Sequence, residues 1–141
     1  MTALVLDTNI VLDVFVFDDE AAKPLLPALT EGRLRWVATA AMRDELARVL
    51  DYPQIVPRLA FYALAAGDVL AAFDRHAQVV DAPPKAPVTC SDPDDQKFID
   101  LAVARQALLL SKDRAVLAMK KRLAAWSVQT QIAFEPVCLS S

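Results

Sequence analysis

The stretch that decides the fold runs Ala3-Leu4-Val5-Leu6-Asp7-Thr8-Asn9-Ile10-Val11-Leu12-Asp13-Val14-Phe15. Its first four residues form an unbroken apolar run that ends on a carboxylate, as in a short strand buried on both faces of a parallel sheet. From Thr8 the period changes. Ile10, Val11, Val14 and Phe15 fall at helical spacing through Val16, with Thr8 or Asn9 available as the cap. A strand running directly into a helix is the first half of a β-α-β unit.

The same alternation continues outward from this stretch. An acidic turn, Asp18-Asp19-Glu20, precedes a helix predicted over about Ala21 to Thr30, with Pro24 near its first turn and Gly32 at its end. Leu34 to Thr39 reads as a second strand, and Ala40 to Leu50 as a third helix stopped by Asp51-Tyr52-Pro53. Ile55 to His76 is Ala-rich and predicted helical with a break near Gly67. Gln78 to Asp81 reads as a third strand, and the Pro-rich residues 82–87 as a surface loop. Ser91-Asp92-Pro93 opens a helix to about Gln106, and Leu108 to Ser111 is a fourth strand. A helix over Asp113 to about Ala125 follows, and a last strand is expected around Gln131 to Val137. The expectation is an α/β fold in one domain spanning residues 1–141: a three-layer α/β/α sandwich on a mostly parallel sheet of four to five strands.

Composition removes several chemistries. The 141 residues are 55% hydrophobic and 23% charged, which suits one ordered core rather than disorder. Two glycines, Gly32 and Gly67, exclude the clustered-glycine loops that cradle nucleotide phosphates. A single histidine, His76, removes His-rich zinc sites, and Cys90 and Cys138 stand too far apart for a CxxC pair. Two such thiols suit a reducing cytoplasm. The N-terminus has no basic segment and Asp7 and Asp13 interrupt its apolar stretch, so no signal peptide is expected. No apolar run reaches the roughly 20 residues of a bilayer crossing. Trp36, Trp126 and His76 read as packing or surface residues.

Charge is unevenly spread along the chain. The net charge is −3, yet residues 1–20 hold five acids and no base. Residues 105–122 hold six bases against Asp113 alone. A basic rim beside an acidic centre and two ordinary solvated faces are both consistent with that pattern. Seventeen of the eighteen acids precede residue 114, so carboxylate is the abundant chemistry.

Which carboxylates are misplaced matters more than their number, because an acid on an apolar face needs a partner. On a helical wheel Asp95 falls between Phe98, Ile99 and Ala102, inside the buried stripe, whereas Asp94 and Asp100 fall outside it and are expected to be solvated. A helix N-terminus also favours acids, which accounts for the Asp92, Asp94 and Asp95 cluster without placing one member toward the core. Glu45 flanks the apolar stripe of Met42, Leu46, Val49 and Leu50. It reads equally as a site residue or as the partner of Arg43 or Arg48. Asp7 and Asp113 each follow a strand and precede a helix, so each reads either as an ordinary helix cap or as a site residue. Parallel strands place both at one end of the sheet, where ligands of such folds bind. Converging carboxylates repel unless a cation neutralises them, and an all-oxygen set without His or Cys favours Mg²⁺ or Mn²⁺.

Asp7-Thr8-Asn9 after the first strand, Glu45 in the third helix, the run from Asp92-Pro93-Asp94-Asp95 to Phe98 and Ala102, and Ser111-Lys112-Asp113 together resemble the PIN-domain nucleases. The likeness is greatest to bacterial, VapC-like PIN proteins described as toxins of toxin–antitoxin pairs, and it covers nearly the whole chain. It implies a metal-dependent ribonuclease whose acidic quartet is Asp7, Glu45, Asp95 and Asp113. Asp7 and Asp95 would be the principal metal ligands, Asp113 would complete the cluster, and Glu45 would bind directly or through water. Asn9 and Ser111 are candidates for orienting these carboxylates. An antitoxin partner and a homodimer are further implications of the resemblance.

Lys97, Arg114, Lys120, Lys121 and Arg122 are candidates to hold an RNA backbone near the acids, or to solvate the last helix. Asp13, one helical turn beyond Asn9, either reaches the site or does not. Two rivals remain open. One is a PIN-like module that binds RNA or protein without turnover. The other is a phosphoacceptor receiver domain, for which Asp81 is the candidate acceptor, although it runs into Ala-Pro-Pro-Lys. A haloacid-dehalogenase-like phosphatase needs a second Asp where Asn9 stands.

Overall fold

The computed structural model of the chain describes residues 2–134. Five strands are present: β1 (Thr2–Leu6), β2 (Leu34–Ala38), β3 (Ala77–Val79), β4 (Leu108–Leu110) and β5 (Gln129–Gln131). They form one all-parallel sheet in the order β3-β2-β1-β4-β5. Leu4, Val5 and Leu6 are all buried, as are Leu108, Leu109 and Leu110. Successive strand residues point to opposite faces, so helices cover both faces of the two central strands.

The helices are α1 (Thr8–Phe15), α2 (Leu25–Thr30), α3 (Ala40–Leu50), α4 (Val56–Phe61), α5 (Ala66–His76), α6 (Gln96–Arg105), α7 (Arg114–Leu117) and α8 (Lys120–Ala124). Several differ from their predicted bounds for identifiable reasons. The helix expected from Ala21 splits into a 3-10 turn over Glu20–Ala22 and then α2, because Pro24 has no amide with which to continue the ladder. Gly32 ends α2 at a φ of +76°, a conformation glycine adopts without strain. The long segment breaks at residues 62–65 rather than at Gly67, which lies in the first turn of α5. Ala63 takes a left-handed φ of 55° so that the Leu64 amide can return to the Leu59 carbonyl. The last helix is two, α7 and α8, divided where the Met119 amide closes on Val116.

Two strands also shift. β3 begins at Ala77, one residue earlier than expected, and Val80 extends its pairing to Ala38. β5 ends at Gln131, where the sequence pattern predicted the strand to begin. The remainder of that expected strand, from Glu135 on, lies outside the described residues, as does Cys138. No helix among the described residues is long and apolar enough to cross a membrane.

Aromatic packing anchors the core. Trp36 on β2 meets Phe73 of α5 edge-on at 4.9 Å and Phe15 of α1 at 6.0 Å, and Phe15 also stacks on His76 at 5.7 Å. Trp126 is largely exposed. The chain reverses direction across the sheet between β1 and β4. β1 leads through α1 toward β2 on one side, while β4 leads through α7 and α8 to β5 on the other. A crevice must open there, outside the C-terminal ends of these two strands. Leu109 lies fully buried on β4 beneath that crevice. Leu109→Ala should lower unfolding stability by about 2–5 kcal/mol in a urea titration, the cost of a cavity in a close-packed core.

Candidate metal centre

Asp7 is the first residue beyond β1, and its amide extends the ladder by donating to the Leu110 carbonyl at 3.1 Å. That bond brings Asp7 beside Ser111, the first residue beyond β4. The Ser111 hydroxyl donates to Asp7 Oδ2 at 2.6 Å, and the Asn9 amide donates to Asp7 Oδ1 at 2.7 Å. Asn9 thus acts on Asp7 through its backbone rather than its side chain. Ser111 Oγ also accepts the Asp113 amide at 3.0 Å, and Asp113 Oδ1 accepts the Ala115 amide at 2.8 Å to cap α7. Asp7 and Asp113 are therefore both helix caps and both members of one pocket.

Asp95 arrives from a third direction. The segment after Asp92 starts as a 3-10 turn over Pro93–Asp95, so Asp95 precedes α6 instead of sitting on its buried stripe. The Asp95 amide closes that turn on the Asp92 carbonyl at 3.1 Å, which keeps the two residues close. Carboxylate oxygens of Asp92, Asp95 and Asp113 lie within 4.8 Å of one another. Opposite ligands of one divalent cation are about 4–5 Å apart, so this set could hold a metal ion. Asp95 Oδ2 is buried without a hydrogen-bond partner among the described residues, the condition a cation would relieve. Sequence reasoning counted Asp92 only as part of a helix-terminal cluster. The signal for it was its place three residues before Asp95, across a proline.

Glu45 lines the same pocket, of about 160 Å³, with Asp7, Thr8, Asn9, Asp95 and Asp113. Its partners are not Arg43 or Arg48. Arg43 pairs with Asp74 at 2.7 Å, whereas Glu45 Oε1 accepts Lys97 Nζ at 2.7 Å and Oε2 accepts the Thr8 hydroxyl. Lys97 is thus tied to the acidic pocket, and its ammonium also donates to the Asp94 carbonyl. Arg114, Lys120, Lys121 and Arg122 are exposed and do not line this pocket. Asp13 is buried and paired with Lys112, and it faces neighbouring pockets rather than this one. Asp94 is exposed as expected, and Asp100 is half-buried. It accepts the Ala86 amide and the Gln96 side chain, both at 2.8 Å, pinning the Pro-rich loop to α6.

Burial pushes the Asp95 carboxyl up to about 7, and the charges of Asp113, Asp92 and Asp7 add to that rise. Burial also raises Asp7, against the opposing hydrogen bonds from Ser111 and Asn9. Because the folded-state value of Asp95 lies above its ordinary 3.8, its favourable contribution to folding is complete below about 3.8 and lost as pH rises through about 7. In EDTA, Asp95→Asn should therefore raise the melting temperature little near pH 4 and clearly at pH 8. His76, whose burial lowers its pKa, is common to both proteins and cancels in this comparison. An increment independent of pH would contradict the placement of Asp95 among ionised neighbours.

No curated protein matches the sequence significantly. Among solved structures, a chain described as VapBC2 from Rickettsia felis, bound to a DNA fragment from their promoter, shares the fold with a TM-score of 0.61. It is 13% identical, and the alignment covers 91% of this chain and 98% of that one. A model of the PIN domain matches residues 3–115, which include the β1 run, Glu45 and the carboxylates at Asp7, Asp92, Asp95 and Asp113. The chain belongs to the PIN-domain family.

Proposed function

We propose that this protein is a Mg²⁺- or Mn²⁺-dependent ribonuclease, one domain over residues 1–141, acting in the cytoplasm as the toxin of a toxin–antitoxin pair. The observation that carries this reading is the convergence of Asp7, Asp95 and Asp113 at the sheet's reversal point, with Asp92 alongside and one buried carboxylate oxygen without a partner among the described residues. The donor set is entirely oxygen, which fits a hard divalent cation. Asp7, Asp95 and Asp113 would hold that ion, with Asp92, whose carboxylate lies within 4.8 Å of those of Asp95 and Asp113, as a further candidate ligand. When bound, the cation polarises a phosphodiester and activates water for attack.

The chain's own groups prepare that centre. Ser111 Oγ and the Asn9 amide hold Asp7 in one orientation and favour its ionised form. The α7 cap does the same for the orientation of Asp113. Glu45, braced by Thr8 and Lys97, lines the pocket's other wall and would bind metal directly or through water. The PIN family and the fold shared with VapBC2 support an antitoxin partner, and a homodimer is a further part of this reading. One observation favours a second reading, a module without turnover: the Lys97 ammonium already occupies Glu45 as an internal cation.

Incubation of a mixed structured-RNA pool with Mg²⁺, Mn²⁺ or EDTA separates the two. Metal-dependent cuts that fall by about 100-fold or more in Asp95→Asn are expected, since metal-ion charge stabilisation contributes several kcal/mol. Cuts that persist in that variant would remove the site assignment. A protein that binds RNA but cuts none in either metal would be the silent module. Ser111→Ala should retain metal-dependent cutting at a rate reduced by about 10–100-fold, the usual effect of losing a group that orients a ligand.

A further inference from the structure

The acidic pocket does not end at Asn9. Asn9 also lines a second, larger pocket of about 440 Å³ whose other walls are Asp13, Phe17, Asp19, Arg58 and Lys112. The acidic pocket, at about 160 Å³, has room for an ion and a phosphate; the second is within the size range of small-molecule sites, about 300–1,000 Å³. The charges in the second pocket are not equivalent. Asp13 is paired with Lys112, and Asp19 Oδ1 is engaged by the Ala21 amide that it caps. Arg58 is in no ion pair among the described residues. Its guanidinium carbon lies 3.7 Å from the centre of the Phe17 ring. Stacking uses one face of the guanidinium and leaves its in-plane N–H donors and its outer face available.

We propose that this second pocket is the subsite for the nucleotide next to the cleaved bond, with Arg58 on Phe17 as its recognition element. The Arg58 N–H donors take that nucleotide's phosphate, and the unstacked base lies on the outer face of the Phe17-supported guanidinium. Bases inside a duplex are already stacked and cannot occupy such a platform. The proposal rests on the nuclease reading and deepens it. It moves the RNA path away from the basic residues of α8, which line neither pocket.

Binding of a fluorescent ten-nucleotide single-stranded RNA, followed by anisotropy in EDTA across a salt series, tests it. Arg58 is exposed, so Arg58→Gln leaves the fold intact. That variant should bind about tenfold more weakly, with a salt slope shallower by about 0.7, the value of one lost phosphate contact on a single strand. Arg58→Lys should recover the slope but not the full affinity, because an ammonium has no stacking plane. The triple variant Lys120→Gln, Lys121→Gln, Arg122→Gln should bind as the parent does.

With Mn²⁺ present, Arg58→Gln should raise KM far more than it lowers kcat. Parent-like binding by Arg58→Gln, or a loss confined to the triple variant, overturns the proposal. If the parent still cuts RNA in that case, the nuclease reading stands alone. A parent that neither binds nor cuts single-stranded RNA removes both.

Discussion

Mutual repulsion among carboxylates gathered at the end of a buried sheet is the constraint around which this molecule is arranged. Asp7, Asp92, Asp95 and Asp113 are brought together by backbone geometry, not by attraction for one another. The fold must hold them against their charge. It does so with neutral donors for two of them: the Ser111 hydroxyl and Asn9 amide on Asp7, and the Ala115 amide on Asp113. Among the described residues Asp95 has no such donor on its buried oxygen, and burial beside its acidic neighbours pushes its carboxyl up to about 7. Stability given up at this centre is what a cation can return on binding, since a ligand that binds only the folded state stabilises it.

The sheet supplies the rigidity that such an arrangement needs. β1 and β4 are central and buried on both faces, and their last residues lead without a linker into Asp7 and Ser111. The two short helices that follow are each capped by the site carboxylate itself, so moving the carboxylate means uncapping the helix. Glu45 differs in kind. It comes from α3, and its position is set by Lys97 and Thr8, one from the acidic run and one from the segment next to Asp7. All three walls of the pocket are thereby cross-connected.

Much of this was legible in the residues. The Leu-rich run ending on Asp7 and the Leu108–Leu110 run ending near Asp113 marked parallel strands, because only a strand covered on both faces is apolar at every position. Asp95 was legible as an acid in an apolar setting. Its helical-wheel placement was nevertheless wrong in detail, since a 3-10 turn precedes α6 and advances each residue by more than an α-helix does. Asp92 escaped for the same reason. The break at Ala63 was also hidden, because alanine carries no turn signal and the left-handed residue is held there by the Leu64 return to Leu59.

Local residue pattern sets the order of strands and helices, the strand ends on which Asp7 and Asp113 stand, and the oxygen-only chemistry of the centre. These follow from local periodicity and from the near absence of His, Cys and Gly. Only the tertiary structure decided which charges meet. Lys97 rather than Arg43 faces Glu45, Lys112 rather than solvent faces Asp13, and Arg58 settles on Phe17 across 41 positions of chain. Side-chain pairing between distant elements depends on sheet order and helix placement, which no local pattern encodes.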